Sequence, residues 1–295
     1  MLRTSWSRSF RAPSLSDLYS ADSYSADWAK DYVYCEANGI SAADCPNRQY
    51  DTTRTSNEEL KEETADTWNF GVAYSPVDDL NLSLDYYTIK IEDVIQLNSL
   101  QSVIYDELNS GGSSYITRNS QGKISGAIAP MVNLGTLKTS GLDLKVDYKY
   151  DLNYATIRYD LGGTYILEYE EGLYAGGPVI DKIGQNGLPQ LRFSSGVGVN
   201  VPQWWNMDTY LSANYIDSQS QDYIADTGEE VGHIASQTTW NLNVGVEAPW
   251  NGKIQVGVKN MFNVGPSLES DGFTYDKALY SIDGRIYYLD YSQKF

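Results

Sequence analysis

Few residues in this chain are of types that do chemistry, and their spacing limits what they can do. Cys35 and Cys45 lie in YCEANGISAADC, a polar stretch with a glycine and acidic residues. Two cysteines this close in such a loop read as one disulfide closing a short loop, and that implies an oxidising compartment. The only histidine, His233 in GEEVGHIAS, is far from both cysteines in sequence, which disfavours zinc. It also has no nucleophile motif beside it, so it does not read as a catalytic base. There is no glycine-rich phosphate loop and no nucleophile elbow. Asp222, Asp226, Glu229 and Glu230 lack the spacing of a calcium loop and read as a solvated acidic stretch. The chain is therefore expected to be neither an enzyme nor the holder of a metal or cofactor. The remaining candidates are aromatic. Tyr19, Trp28 and Tyr32 crowd one polar region together with Tyr24 and Tyr34, while Tyr115, Tyr223 and Tyr275 fall in others. Such rings stack on sugars, aromatic siderophores or cobalamin alike. Packing within the loops accounts for any one of them equally well.

The composition narrows what must position these residues. The chain has 295 residues, among them 25 tyrosines and 7 tryptophans, and a net charge of −18. Tyrosine and tryptophan join an apolar body to a polar tip, which suits a membrane–water interface. The charge excludes nucleic acid and plain adhesion to anionic lipid. Much of it lies between Arg11 and Thr64, as if an acidic loop region were attached to a near-neutral scaffold. No run of apolar residues is long enough for a helical span, but a barrel strand needs only about 9–11 residues with every second one apolar.

That alternation is the dominant pattern. In WNLNVGVEA, Trp240, Leu242, Val244 and Val246 share one face and Asn241, Asn243, Gly245 and Glu247 the other. In GLDLKVDYKY, Leu142, Leu144, Val146, Tyr148 and Tyr150 oppose Asp143, Lys145, Asp147 and Lys149. A period of two means strands with one apolar and one wet face. Extended along the chain, it predicts about ten strands. The connections alternate in length: short at 75–79, 150–153, 201–205 and 248–252, long at 11–64, 92–138, 169–188, 218–236 and 262–281. A soluble sandwich gives no reason for this, whereas an antiparallel transmembrane β-barrel does.

Five segments, in order, carry a family resemblance. SFRAPSLSDLY (9–19) resembles the FRAPSLSELY motif of TonB-dependent outer-membrane receptors. NEELKEETADTWNFGVAY (57–74) is similar to the segment NPNLKPET, with Glu62 in place of its proline. NLGTLKTSGLDLKVDY (133–148), VGVKNMFNVGP (256–266) and the closing GRIYYLDYSQKF (284–295) resemble later segments of the same family. The resemblance implies a wall of 22 strands filled by a plug, in which residues 1–295 supply only the carboxy-terminal part of the barrel, without plug or TonB box. It also implies energy-coupled uptake of a scarce ligand: a ferric siderophore, a vitamin or an oligosaccharide. The implied place is the outer membrane of a Gram-negative bacterium, among its lipid and lipopolysaccharide. The TonB complex would act through the missing plug region. Tyr287, Leu289, Tyr291 and terminal Phe295 would form the signal read by the barrel-assembly machinery, with Gln293 a departure from it.

The alternative is a free-standing ten-strand porin or adhesin. DNA upstream of Met1 separates the two. A receptor predicts an in-frame plug followed by further strands, and a porin predicts a signal peptide directly upstream.

Overall fold

The computed structural model describes the chain apart from residues 134, 173–178, 186, 221–222, 225–228, 231, 270–273 and 294–295; for 223, 224, 229 and 230 only the backbone is described. Ten long strands form its wall: β1 (Leu2–Arg11), β2 (Glu63–Tyr74), β3 (Leu80–Glu92), β4 (Thr136–Asp151), β5 (Thr156–Gly172), β6 (Leu191–Val201), β7 (Met207–Ile216), β8 (Gln237–Glu247), β9 (Gly252–Lys259) and β10 (Ile286–Gln293). Each pairs antiparallel with the next in sequence, and a three-residue strand, Val179–Asp181, adds to β5. Among the described residues β1 and β10 pair on one side only, so the sheet has two open edges.

The register shows how the alternation works. One row crosses eight strands through Leu80, Tyr148, Tyr159, Val197, Leu211, Leu242, Val258 and Tyr287. Every member is apolar or aromatic. The row beside it runs through Lys149, Arg158, Gly198, Tyr210, Asn243, Gly257 and Tyr288, on the opposite face. The apolar face carries an aromatic band in which Trp6, Trp68, Phe70 and Tyr86 approach in sequence at 6.1, 6.1 and 6.4 Å between ring centres. Trp6, Trp68 and Phe70 remain exposed. A face this apolar and this uncovered is made for a non-aqueous neighbour.

The polar face satisfies most of its charges internally. Arg3 pairs with Asp85 across the backbone of Gly71, where an added Cβ would lie 2.0 Å from the Asp85 carboxylate. Gly257 similarly leaves room for the Tyr288 ring, 2.3 Å from where its Cβ would be. The short turns close tightly. Asp79, Trp205, Asn206 and Asn251 all adopt positive φ there, and three of the four are the Asp or Asn types that tolerate it.

The long connections depart from the expectation of solvated loops. The first two fold together into a cap on the wall. Strand Ser23–Lys30 pairs antiparallel with Asn47–Thr55, which runs parallel to Ile124–Asn133 from the second loop. Ile95–Leu97 and Ile116–Arg118 complete the sheet. Three helices belong to this region: α1 (Leu15–Tyr19), α2 (Tyr32–Ala37) and α3 (Leu100–Ser110). Most of the buried apolar side chains among the described residues lie here rather than in the wall, with Ala29, Leu100, Val103, Ile104, Ile116 and Ala127 at the centre. A single sheet cannot bury both its faces, so the wall has no core of its own.

Two open edges carry unpaired backbone groups, which lipid cannot satisfy. The isolated chain, refolded in detergent, is therefore expected to give no heat-modifiable band on electrophoresis and no single-channel conductance in planar bilayers. Either signal would show that ten strands can close by themselves.

Candidate functional site

At the long-loop end of the polar face lies a cleft of about 820 Å³. Strands β5 to β9 form its floor through Thr164, Arg192, Asn214, Thr239, Asn241 and Lys259, and the fifth long connection covers it through Val264, Leu279 and Asp283. A second cavity of about 400 Å³ continues down the same face past Asp208, Tyr210, Asn243 and Tyr288. Asn241 and Lys259 line both.

Local chemistry fixes the cover. Asn260 Nδ2 donates to the Val264 carbonyl at 2.7 Å, and Val264 N–H donates back to Asn260 Oδ1 at 2.9 Å. Asn263 Oδ1 accepts from the Arg285 N–H at 2.9 Å. Both asparagines adopt positive φ. They belong to the KNMFN stretch singled out by resemblance, whose visible role here is to hinge the loop onto the wall. The third, fourth and fifth connections meet at a buried amide. Gln219 accepts from the Gly187 N–H at 2.8 Å and donates to Tyr280 Oη at 2.9 Å. Burial pushes the Tyr280 hydroxyl pKa up, so it stays a neutral partner.

The charges of the cleft differ from those along much of the polar face. Elsewhere on that face Arg3, Lys145, Lys149 and Arg158 each pair with an aspartate. Among the described residues, Arg192 and Lys259 have no carboxylate within ion-pair distance; Lys259 instead sits 5.8 Å from the centre of the Tyr288 ring. A cation without a carboxylate partner beside an open cleft can meet an anion.

The cap meets the wall at Glu63. This buried carboxylate accepts from Arg11 Nε and Nη2 at 2.7 and 2.6 Å and from the Ile95 N–H at 2.6 Å. Arg11 belongs to the SFRAPSLSDLY stretch and Glu63 to NEELKEET, so two motifs distant in sequence form one joint. Within the first motif, Ser14 and Asp17 make a reciprocal capping box that starts α1. Inside the cap, Arg118 donates from Nη1 and Nη2 to Asp31 at 2.8 Å each, and from Nε and Nη2 to Glu107 at 2.9 and 2.6 Å. The Glu107 hydrogen bonds raise the guanidinium pKa further above its ordinary value, so it is charged at every accessible pH. Sequence reading missed this helix and its ion pairs. The signal was present: Ser99 as N-cap, apolar residues at 100, 103, 104 and 108, and Gly111 in the left-handed conformation past the end.

The aromatic candidates are dispersed. Tyr19 ends α1 exposed, Trp28 stands exposed on the cap's edge strand, and Tyr115 is exposed just before Ile116. Tyr275 is half-buried in the fifth connection, and the Tyr223 side chain lies outside the described residues. Tyr32 is buried, stacked on Tyr105 with ring centres 5.4 Å apart, because the cap needs it for packing. None of the five described side chains lines the large cleft. Cys35 and Cys45 form a disulfide within the same cluster as Tyr32. Exposed His233 pairs through its backbone with Ser220. Asp222 and Asp226 lie outside the described residues, as do the side chains of Glu229 and Glu230. Tyr287, Leu289 and Tyr291 are exposed on the apolar face of β10, opposite Val258, Val256 and Ile254. Gln293, the departure from alternation, donates to the Trp250 carbonyl at 2.8 Å and so ties the strand end to the last turn. Phe295 lies outside the described residues.

Asp27 offers a pH test of the cap. Burial raises its pKa, but hydrogen bonds from Ser25 and Arg54 outweigh that and leave it below the ordinary aspartate value. A depressed folded pKa stabilises above the unfolded value and is lost as pH falls through the folded one. Asp27→Asn should therefore cost the cap about 1 kcal/mol at neutral pH, measured by amide exchange, and parent and variant should converge as the pH falls below the ordinary aspartate range.

Comparisons with known proteins place this geometry. Residues 1–261 match the family described as TonB dependent receptor-like, beta-barrel. The ferric enterobactin receptor PfeA of Pseudomonas aeruginosa, as its G324V mutant, superposes on 98% of this chain with a TM-score of 0.66 at 16% identity. The siderophore receptor PirA of Acinetobacter baumannii gives 98%, 0.64 and 14%, and the copper transporter OprC 98%, 0.56 and 15%. The chain spans 37%, 38% and 36% of those three chains. A comparison with curated proteins found no match. At these identities the likeness to solved structures is one of fold. The family match covers most of the chain, and the family is one of transport proteins rather than enzymes. This chain belongs to the TonB-dependent receptor-like β-barrel family of the outer membrane.

Proposed function

We propose that the chain is the carboxy-terminal part of the barrel of a receptor that takes up an anionic metal complex, of ferric-siderophore type, with energy supplied through TonB. One observation carries the ligand class. Arg192 and Lys259 face the large cleft without carboxylate partners among the described residues, while Arg3, Lys145, Lys149 and Arg158 on the same face are neutralised; Lys253, at the short-turn end of β9 and away from the cleft, is also outside any ion pair among the described residues. In a chain of net charge −18, two cations at one cleft without a carboxylate partner among the described residues favour an anion there. The names of the structural neighbours, which include siderophore receptors, agree with this reading.

In this reading the plug and its TonB contact lie outside the chain, and this segment supplies wall, rim and part of the capture site. Tyr287, Leu289, Tyr291 and Phe295 would present the assembly signal on the lipid face of the last strand, beside lipopolysaccharide.

The test uses the full-length receptor in a strain lacking its own siderophore receptors. Uptake of iron-55 carried by a tricatecholate and by a trihydroxamate is measured with and without TonB. Loss of TonB should abolish uptake of one of them. Arg192→Ala with Lys259→Ala should weaken its binding about tenfold or more, as expected for lost charge-assisted hydrogen bonds. TonB-independent passage would favour a porin, and unchanged binding by the double variant would remove the cleft from the capture site.

A further inference from the structure

We propose that the first two long loops form one cooperative unit that opens only as a whole, with Arg118 as its linchpin. The two segments are separated in sequence by the β2–β3 hairpin and have no covalent reason to move together. Three features join them. The parallel pairing of Thr52–Thr55 with Ala127–Pro130 makes their strands neighbours in one sheet. The core sets Ala29 from the first loop against Val103 and Ile104 from the second. Arg118 of the second loop grips Asp31 of the first and Glu107 of its own with the same guanidinium.

The free edge is closed in the same spirit. The Gln101 side chain accepts from the Lys30 N–H at 2.8 Å and donates to the Lys30 carbonyl at 3.2 Å, standing in for a missing strand. At the base, Asn133 accepts from the Lys61 N–H at 2.8 Å and donates to the Lys61 and Asp93 carbonyls at 2.9 Å each, bridging the roots of both loops.

The physics makes separate motion costly. Lifting either loop alone would expose the shared core and leave nearly buried Asp31 without the Arg118 guanidinium, which would stay with Glu107 on the second loop. Uncompensated buried charge is among the most destabilising defects a fold can hold. Opening both together returns every one of these groups to water at once. Two loops joined in this way form one cooperative unit.

Native-state hydrogen exchange on the intact receptor in detergent, with mass spectrometry at increasing denaturant, tests this without knowledge of the ligand. Peptides covering 23–30, 47–55, 100–110 and 124–133 should converge on one opening isotherm with one slope. Two isotherms, one for each loop, would overturn the proposal. Arg118→Met should raise exchange in both loops by a common factor of about a hundred. A rise confined to 93–133 would overturn it as well. Where the variant fails to insert, the parent isotherms decide the question.

Discussion

A strand that crosses lipid has nowhere to place its N–H and C=O groups except on another strand. Every large feature of this protein follows from that. The wall strands must pair edge to edge, so they are long and consecutive. They bury no core, because one face belongs to lipid and the other to the lumen. The side chains obey the same division. Leu80 through Tyr287 keep one row apolar across eight strands, and the adjacent row is free to be polar.

The constraint also explains where folding energy of the ordinary kind is found. Hydrophobic burial needs two surfaces that exclude water between them. The wall cannot supply a second surface, so the buried cluster forms above it, in loops that read as polar and acidic. Acidic residues there are not all solvated. Asp31, Glu63 and Glu107 are drawn inside because Arg118 and Arg11 meet them with fixed forks of donors. The disulfide joins residues ten apart in the same cluster and limits the freedom of the loop's unfolded form.

Much of the wall is legible in the residues themselves. Period-two alternation puts residues such as Leu144 and Trp240 on the correct face, and the alternating loop lengths locate the turns. Local rules suffice there, because side-chain direction in a strand is fixed by the backbone. The cap is less legible. Its α3 carries cap and periodicity signals inside a stretch expected to be a solvated loop. Its sheet depends on parallel pairing of Thr52–Thr55 with Ala127–Pro130, 75 residues apart, which no local pattern announces. The cleft is not legible at all. Arg192 and Lys259 look like any cation in an alternating strand, and only the positions of the carboxylates around them show that neither has one as a partner among the described residues.

Short-range regularities were enough to specify an antiparallel wall with one face for lipid, and five segments in order, at 9–19, 57–74, 133–148, 256–266 and 284–295, were enough to point to its family. A two-residue period, a capping box and asparagines where the backbone turns left-handed are all written within a few neighbouring residues. Long-range packing settled everything else. It turned Tyr32 from a candidate ligand contact into a packing residue, joined Arg11 to Glu63 across two motifs, and gathered a cleft from six strands and two connections. These outcomes depend on which distant side chains arrive at the same place, and that is a property of the whole sheet rather than of any stretch of it.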